Sequence, residues 1–413
     1  MDTEKILIIT EFFPPNNCAA SNRVFSWAKN LHKYGYYPVI FCKNDLNNEA
    51  YHFEKSEWYE VHYIKCKEPL FQKLRLTAKY SLIRKSFGLL HYVFVNSIKY
   101  NGIKRLKKFL DQYIVKNDIG KMLVTGPSFA IFGLGNILSK EHKIKWIADY
   151  RDDWTTSEIF ESKFFAFVGK IDRLKEKKYL ANCTFFASVS KHYIGKIGNL
   201  IHKKGFLIEN GFNEHEVLEL GVEQDERLFI LYPGSVYFTQ KLHLLGAALE
   251  LLPKDIITSL QIVFLGTEIN AIKLPDNCKP YVNKNLFFLK RTSRQEVLSF
   301  YSKADALLVI GHTDKNNKVL KGIPSSKLYE YISLRKRVLV CPSDNDVIEE
   351  KLLETKQGIF CNSPEELAAA IKSLFSVKLE RGQIPLVDVP EEMYYKNTRE
   401  FQTGRLAEVL DQL

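Results

Sequence analysis

The chain opens on a β-branched run, Lys5 to Thr10, that breaks into a loop around Pro14-Pro15. Val24, Trp27, Ala28 and Leu31 then recur at helical spacing until Gly35 stops them, and Pro38 to Cys42 reads as the next strand. A strand, loop, helix, strand unit lays its two strands side by side and parallel, with the loop at the carboxyl end of the first. The pattern returns in the second half, where Phe229 to Tyr232 turns at Pro233-Gly234-Ser235 into a helix through Leu242, Leu245, Ala248, Leu249 and Leu252. Apolar runs at Met122–Thr125, Lys145–Asp149, Thr184–Ser188 and Phe206–Ile208 extend the first sheet. Gln261–Gly266, Leu286–Leu289, Ala306–Ile310, Val338–Cys341 and Gly358–Cys361 extend the second, between helices expected at Arg294–Lys303, Ser326–Leu334, Val347–Leu353 and Pro364–Phe375. At 413 residues the chain exceeds one compact domain, so two α/β domains are expected, 1–217 and 218–389, followed by an amphipathic helix within 390–413. The charged, patternless stretch from Glu214 to Arg227 has the composition of a linker.

Seven cysteines are scattered without C-x-x-C spacing or neighbouring histidine pairs, which argues for reduced, buried thiols and against a zinc or disulfide framework. The acidic tip at Asp2 and Glu4 and the short apolar run after it lack the basic flank and length of a signal peptide, and no run reaches membrane-spanning length. A cytoplasmic protein, soluble or peripheral on the inner face of the plasma membrane, is expected. The formal charge of +11 favours an anionic partner without choosing among nucleic acid, lipid and phosphorylated substrate. The charge concentrates between Lys65 and Lys108, where ten or more cations face the lone acid Glu68 and Ile83, Phe87, Leu90, Phe94 and Ile98 fall at three- and four-residue steps. Such a segment can lie on an anionic bilayer or pack on the sheet with a solvated basic face. It lacks the evenly interleaved aromatics of a nucleic-acid channel, so no nucleic-acid partner is expected.

Two stretches carry candidate chemistry. In Gly322 to Leu339, Pro324 suits a loop edge and Ser325 or Ser326 can cap the helix that follows. Lys327 adds a full charge to the partial positive charge of that helix end, so phosphate can bind there. Glu330, one turn on, offers a fixed acceptor for the hydroxyls of a ribose. An ordinary amphipathic helix with a solvated Lys327–Glu330 pair fits the same residues. In Trp146-Ile-Ala-Asp-Tyr-Arg-Asp-Asp-Trp154, Asp149 and Asp152 flank Arg151 at a strand end, where they can hold sugar hydroxyls or activate one; for Arg151 an internal ion pair is the simpler reading. His312 follows the Leu307–Ile310 run and falls near the second-half loops.

Pro324-Ser-x-Lys-Leu-x-Glu-Tyr331, followed by a basic turn and Val338-Leu-Val340, resembles the nucleotide-sugar motif of the retaining glycosyltransferases of family 4, in the subgroup with a Pro-Ser-Lys-type loop. Asp149 to Trp154 resembles that family's Asp-Phe-Arg-Asp-Pro-Trp stretch, and Phe13 to Arg23 its strand, Pro-Pro, small-residue, Arg, helix pattern. Glu209-Asn210-Gly211-Phe212 is similar to the turn that closes its N-terminal domain. The resemblance implies the GT-B fold, two Rossmann-like domains with parallel sheets facing a central cleft, with the last helix crossing back to the first domain. It implies a donor site from Gly234, Ser235, Lys241, Pro324, Ser325, Ser326, Lys327, Leu328 and Glu330. Asp149 and Asp152 would be the catalytic or sugar-positioning acids, and Asn17 and Arg23 would lie on the acceptor-side loop. The implied partners are a nucleoside diphosphate sugar, with no cofactor and no metal, and a glycan or polyprenyl-linked acceptor in cell-surface polysaccharide synthesis, with retention. The sequence departs from the pattern at Cys18-Ala19-Ala20, which replaces loop glycines, at Phe129 and Phe132, where histidines are common, and at Gly322, which stands eight residues before Glu330 where the wider family carries a second glutamate. A nucleotide-sugar epimerase of the same fold and a non-catalytic, membrane-associated binding subunit are the alternatives.

Overall fold

The structure, a computed structural model, describes residues 3–16, 18–43, 49–66, 69–98, 103–156, 166–213, 226–236, 240–311, 322 and 325–413. Asn17, His312, Pro324, the side chain of Ser326 and most of the charged stretch after Asn213 lie outside the described residues. The chain divides into two compact units, Met1–Asn210 with Arg399–Leu413, and Gly211–Thr398.

The first unit is built on eight strands: β1 Glu4–Ile9, β2 Tyr36–Lys43, β3 Tyr51–Lys55, β4 Glu60–Ile64, β5 Lys121–Thr125, β6 Lys145–Tyr150, β7 Phe185–Ser188 and β8 Gly205–Leu207. They lie in the order β3-β4-β2-β1-β5-β6-β7-β8, all parallel except the antiparallel edge strand β3. Ile6 to Ile9 face Pro38 to Phe41 on one side and Lys121 to Val124 on the other, so β1 is central and reads as an unbroken apolar run. Its helices are α1 Ala19–Asn30, α2 Leu70–Thr77, α3 Ser81–Phe94, α4 Lys104–Asn117, α5 Ala130–His142, α6 Ala166–Tyr179 and α7 Lys191–Ile201. Leu7, Ile9, Phe41, Val124 and Trp146 form one core with Leu106 and Leu110 of α4, while Ile6, Ile8, Ile40 and Leu123 form another with Val24 and Trp27 of α1.

The second unit carries β9 Leu228–Pro233, β10 Leu260–Leu265, β11 Leu286–Leu289, β12 Ala306–Val309, β13 Arg337–Val340 and β14 Gly358–Phe360 in the order β11-β10-β9-β12-β13-β14, all parallel. Its helices are α8 Leu242–Glu250, α9 Lys254–Thr258, α10 Arg294–Lys303, α11 Ser326–Ser333, α12 Val347–Glu354, α13 Pro364–Arg381 and α14 Glu391–Lys396. α10 starts on a capping box of Ser293 and Glu296.

The unit boundaries fall at Asn210 and Thr398, away from the sequence boundaries at 217 and 389. Tyr394 of α14 lies tilted against Phe212, ring centroids 4.8 Å apart, with Arg335 over its ring, which keeps residues 390–398 in the second unit. The last helix, α15 Arg399–Leu410, buries Leu406, Ala407 and Leu410 beside Trp27 and Ile8 in the first. The hairpin of β3 and β4 had no counterpart in the sequence reading. The basic segment 65–108 is not one helix: it contains α2, α3 and the start of α4, and α4 turns Leu106, Leu110 and Ile114 into the core. All seven cysteines are free. Among the described residues no helix is long and apolar enough to cross a membrane.

Candidate functional site

Each sheet has a point where the strand order reverses, between β1 and β5 in the first unit and between β9 and β12 in the second. Crevices at the carboxyl ends of strands next to such a point are where open α/β sheets bind ligands. Both motif groups of the sequence fall at these ends.

In the second unit, β9 ends at Pro233 and the chain turns at Gly234, whose φ of +111° lies in the left-handed region open to glycine. A Cβ at Gly234 would sit 2.4 Å from Lys327 Cε and 2.5 Å from its Nζ, so the lysine lies directly against the glycine backbone. The Lys327 ammonium stands 4.2 Å from the centroid of the Tyr232 ring and has no ion-pair partner among the described residues. Burial pulls its pKa down to about 8, opposed by the field of Glu330. Ser325 is the N-cap residue of α11; its side chain makes no capping bond, while its carbonyl accepts from Leu328 N at 3.0 Å. Among the described residues no side chain caps the first N–H groups of this helix.

Glu330, on the next turn, is held from two sides: the Tyr301 hydroxyl donates to Oε2 at 2.6 Å and Arg294 Nη1 donates to Oε1 at 3.0 Å. Two bonds leave a carboxylate with further acceptor positions for hydroxyl donors. The Leu328 side chain is buried in the core and anchors the helix. The loop after β9 is braced by Thr267, which donates to the Gly234 carbonyl at 2.9 Å and accepts from Val236 N at 2.9 Å. Ser235 is exposed at the tip of that loop, and half-buried Lys241 is the N-cap residue of α8, its backbone N–H directed at Gly311 O. Gln240 donates to Ile310 O at 2.7 Å, which ties the same loop to the end of β12.

The first unit arranges its charges differently. Arg23 and Asp149 form a salt bridge of 2.8 Å with 4% and 1% of their side chains exposed. Asp149 also accepts from Thr125 Oγ1 at 2.8 Å, and Arg23 donates to the carbonyls of Ile208 and Glu209 at 2.8 Å each. The pair thus fastens α1, β5, β6 and the end of β8 together, and it leaves Arg23 in the interior instead of on a ligand-facing loop. α1 itself is capped by Cys18, whose Sγ accepts from Ser21 N at 3.5 Å. Asp152 is the carboxylate that reaches solvent. It is nonetheless surrounded closely enough that desolvation raises its pKa, against the pull of Arg151 and with a further push from Asp149. Arg151 donates to Gly126 O and is itself partly desolvated.

Sequence reasoning passed over Glu11, just beyond β1, which accepts from Ser128 Oγ at 2.7 Å and pairs with Lys43 at 3.1 Å. Its signal was present, a charged residue immediately after a buried apolar strand. Tyr301, Arg294 and Tyr232 were missed because each acts on a residue distant in sequence. Phe129 and Phe132 are buried, with Phe129 stacked on Trp154 at 4.9 Å, so an aromatic cluster occupies the place of a histidine-bearing loop.

No family model and no curated protein matches the chain. Solved structures do. Sucrose-phosphate synthase from Thermosynechococcus elongatus aligns over 99% of this chain and 98% of its own at 13% identity and a TM-score of 0.62. The UDP-forming α,α-trehalose-phosphate synthase from Burkholderia xenovorans, in complex with glucose-6-phosphate, aligns over 99% and 100% at 10% identity and a TM-score of 0.62. Anabaena HepE in complex with UDP-glucose aligns over 99% and 100% at 11% identity and a TM-score of 0.59. The chain shares the GT-B fold of these glycosyltransferases, two parallel-sheet α/β domains, end to end.

Proposed function

We propose that this chain is a glycosyltransferase that takes a sugar from a nucleoside diphosphate sugar. The observation that carries the reading is Lys327: a cation with no carboxylate partner among the described residues, lying on Tyr232 and Gly234 at a strand-order reversal, one turn before an oriented carboxylate. The lysine and the start of α11 meet the diphosphate, Glu330 takes the ribose hydroxyls, and Gly234 and Ser235 let backbone approach the phosphates. Lys241 borders the same site, and the sequence motif assigns Pro324 to it. The GT-B fold shared with the UDP-forming trehalose-phosphate synthase, and with a protein solved holding UDP-glucose, supports this reading.

Transfer proceeds with retention and without a metal, because fixed positive charge is already aimed where charge builds on the leaving diphosphate. In that scheme the departing phosphate removes the acceptor proton, Asp152 orients the acceptor, and Asp149 with Arg23 positions the loop that carries it. Asn17 belongs to the acceptor side. The acceptor is a glycan or lipid-linked sugar of a surface polysaccharide. An epimerase would need a histidine with acids at the sugar, and Phe129 and Phe132 face the core instead.

The test is incubation with UDP-, GDP- and dTDP-sugars, with and without EDTA, reading nucleoside diphosphate release. Release that persists in EDTA is expected, together with weakened donor binding in Glu330→Ala. Absence of both turnover and a donor-induced thermal shift across the panel would refute the enzyme reading, and unchanged affinity in Glu330→Ala would refute the ribose role.

A further inference from the structure

Neither α2 nor α3 buries a single residue. The two helices close on each other through Phe71 and Phe94, whose rings lie 5.7 Å apart, and through Gly88, where a Cβ would meet the stem of Arg75 at 3.6 Å. On α3, Leu82, Ile83, Leu89 and Leu90 recur at steps that put them on one side, opposite Gly88. All four are exposed, Leu82 by 76%. The face turned away from α2 is therefore the apolar one, the reverse of a helix that packs on a sheet. Lys73, Lys79, Arg84 and Lys85 are exposed on the hairpin, Arg84 and Lys85 on the polar side of α3 that also carries Gly88, and residues 69–98 contain no Asp or Glu.

We propose that the α2–α3 hairpin docks the protein on an anionic lipid bilayer, its aliphatic face at the headgroup boundary and its cations on lipid phosphates. The inference rests on the hairpin's own residues and goes beyond the transferase reading. A second copy of this chain fits the face poorly: in a two-fold contact the same cations would oppose one another with no acid in the hairpin to pair them. Nucleic acid would leave the aliphatic side chains in water, whereas an interfacial helix uses both chemistries at once. The hairpin is tied to the loop after β6. Asn96, two residues past α3, donates to Asp172 Oδ2 at 3.0 Å, and the same oxygen accepts from Trp154 Nε1 at 3.2 Å, two residues past Asp152. An acceptor anchored in that bilayer would thus be met by the loop that bears Asp152.

The full chain is floated with phosphatidylcholine vesicles with and without phosphatidylglycerol. Flotation with the anionic vesicles alone, reversed by salt, is expected. Lys85→Gln should weaken it about fivefold, the effect of one cation at such a surface, and Leu89→Ser with Leu90→Ser should abolish it. The thermal transition of these variants should match the wild type, since none of the three side chains is buried. Flotation with neither vesicle, flotation that both variants leave unchanged, or a dimer that Leu89→Ser with Leu90→Ser dissolves would each overturn the proposal. Donor turnover measured without vesicles keeps the two readings apart: intact turnover without flotation removes the membrane inference alone, and flotation without turnover removes the transferase reading alone.

Discussion

Lys327 makes a prediction whose size follows from its surroundings. Burial against Gly234 and Tyr232 brings its pKa down to about 8 from the ordinary 10.5. A bound diphosphate favours the ammonium, so the bound state holds the proton more tightly than the free one. Below about pH 8 the charge is already present; above it, binding must first take up a proton, and affinity falls by about tenfold, or about 1.4 kcal/mol, per pH unit. From about pH 7 to about pH 9 the charged fraction of the free lysine drops from about nine-tenths to about one-tenth, so its contribution to affinity drops about tenfold. The stability of the ligand-free protein has the opposite sign. Its folded pKa is the lower one, so the penalty of a buried ammonium is present below about pH 8 and disappears as pH rises toward 10.5. The assay is calorimetric titration of UDP and GDP into wild type and Lys327→Met across this range. The advantage of wild type over Lys327→Met should shrink about tenfold between the two pH values, with protonation by the nucleotide cancelling in the ratio. Two affinity curves that run parallel would refute the placement of the diphosphate on this lysine.

Asp149→Ala leaves Arg23 buried without its partner and should destabilise the protein by about 3–5 kcal/mol, a fall in Tm of about 6–20 °C for a unit of this size. An Asp149→Asn variant that melts like wild type yet has lost all turnover would instead give Asp149 a direct role in chemistry. Gly234→Ala puts a methyl where the Lys327 ammonium lies, at a φ of +111°. It should cost about 1–2 kcal/mol of stability and a larger share of donor affinity, and equal affinity in a binding titration would count against the contact. Glu176 is fully buried and accepts from the Tyr150 hydroxyl at 2.8 Å and from Thr155 N at 3.2 Å; burial is the first cause that pushes its pKa up to about 7. Because the folded pKa lies above the ordinary 4.5, stability should decline as pH rises between these values, by at most about 1.4 kcal/mol per unit. Urea melts at several pH values should show that slope in wild type and not in Glu176→Gln.

The repeated strand, loop, helix pattern was legible because strands covered on both faces are continuous apolar runs, and their ends are marked by Pro, Gly and Ser. The β3–β4 hairpin escaped the same reading. β3 is an exposed antiparallel edge, Tyr51-His-Phe-Glu-Lys55, whose polar alternation gives no apolar run. In the candidate site, Lys327 and Glu330 could be found because their relation is local, one helical turn. What holds them could not, since Tyr301 and Tyr232 reach them from other elements across the sheet. Arg23 and Asp149 show the limit from the other side. Each sits in a stretch whose residue types suit a ligand, and only the fold reveals that the two side chains satisfy each other 126 positions apart.

The two carboxyl edges differ in how their charges balance, and that difference bears on which substrate each takes. Near the reversal of the first sheet, Arg23 faces Asp149, Lys43 faces Glu11, and Arg151 lies in the field of Asp149 and Asp152. Three cations meet three carboxylates, and an edge neutralised in this way has hydroxyls and amides to offer a neutral polyol but little to attract an anion. At the reversal of the second sheet Arg294 is matched by Glu330, and Lys327 remains over. A desolvated cation held on an aromatic face is unfavourable in the empty site and becomes favourable only when an anion arrives. On the proposed function, the desolvation that depresses the pKa of Lys327 is the same free energy that a diphosphate would recover on binding, and the first edge, with no such cation among its described residues, would suit the partner that carries hydroxyl groups.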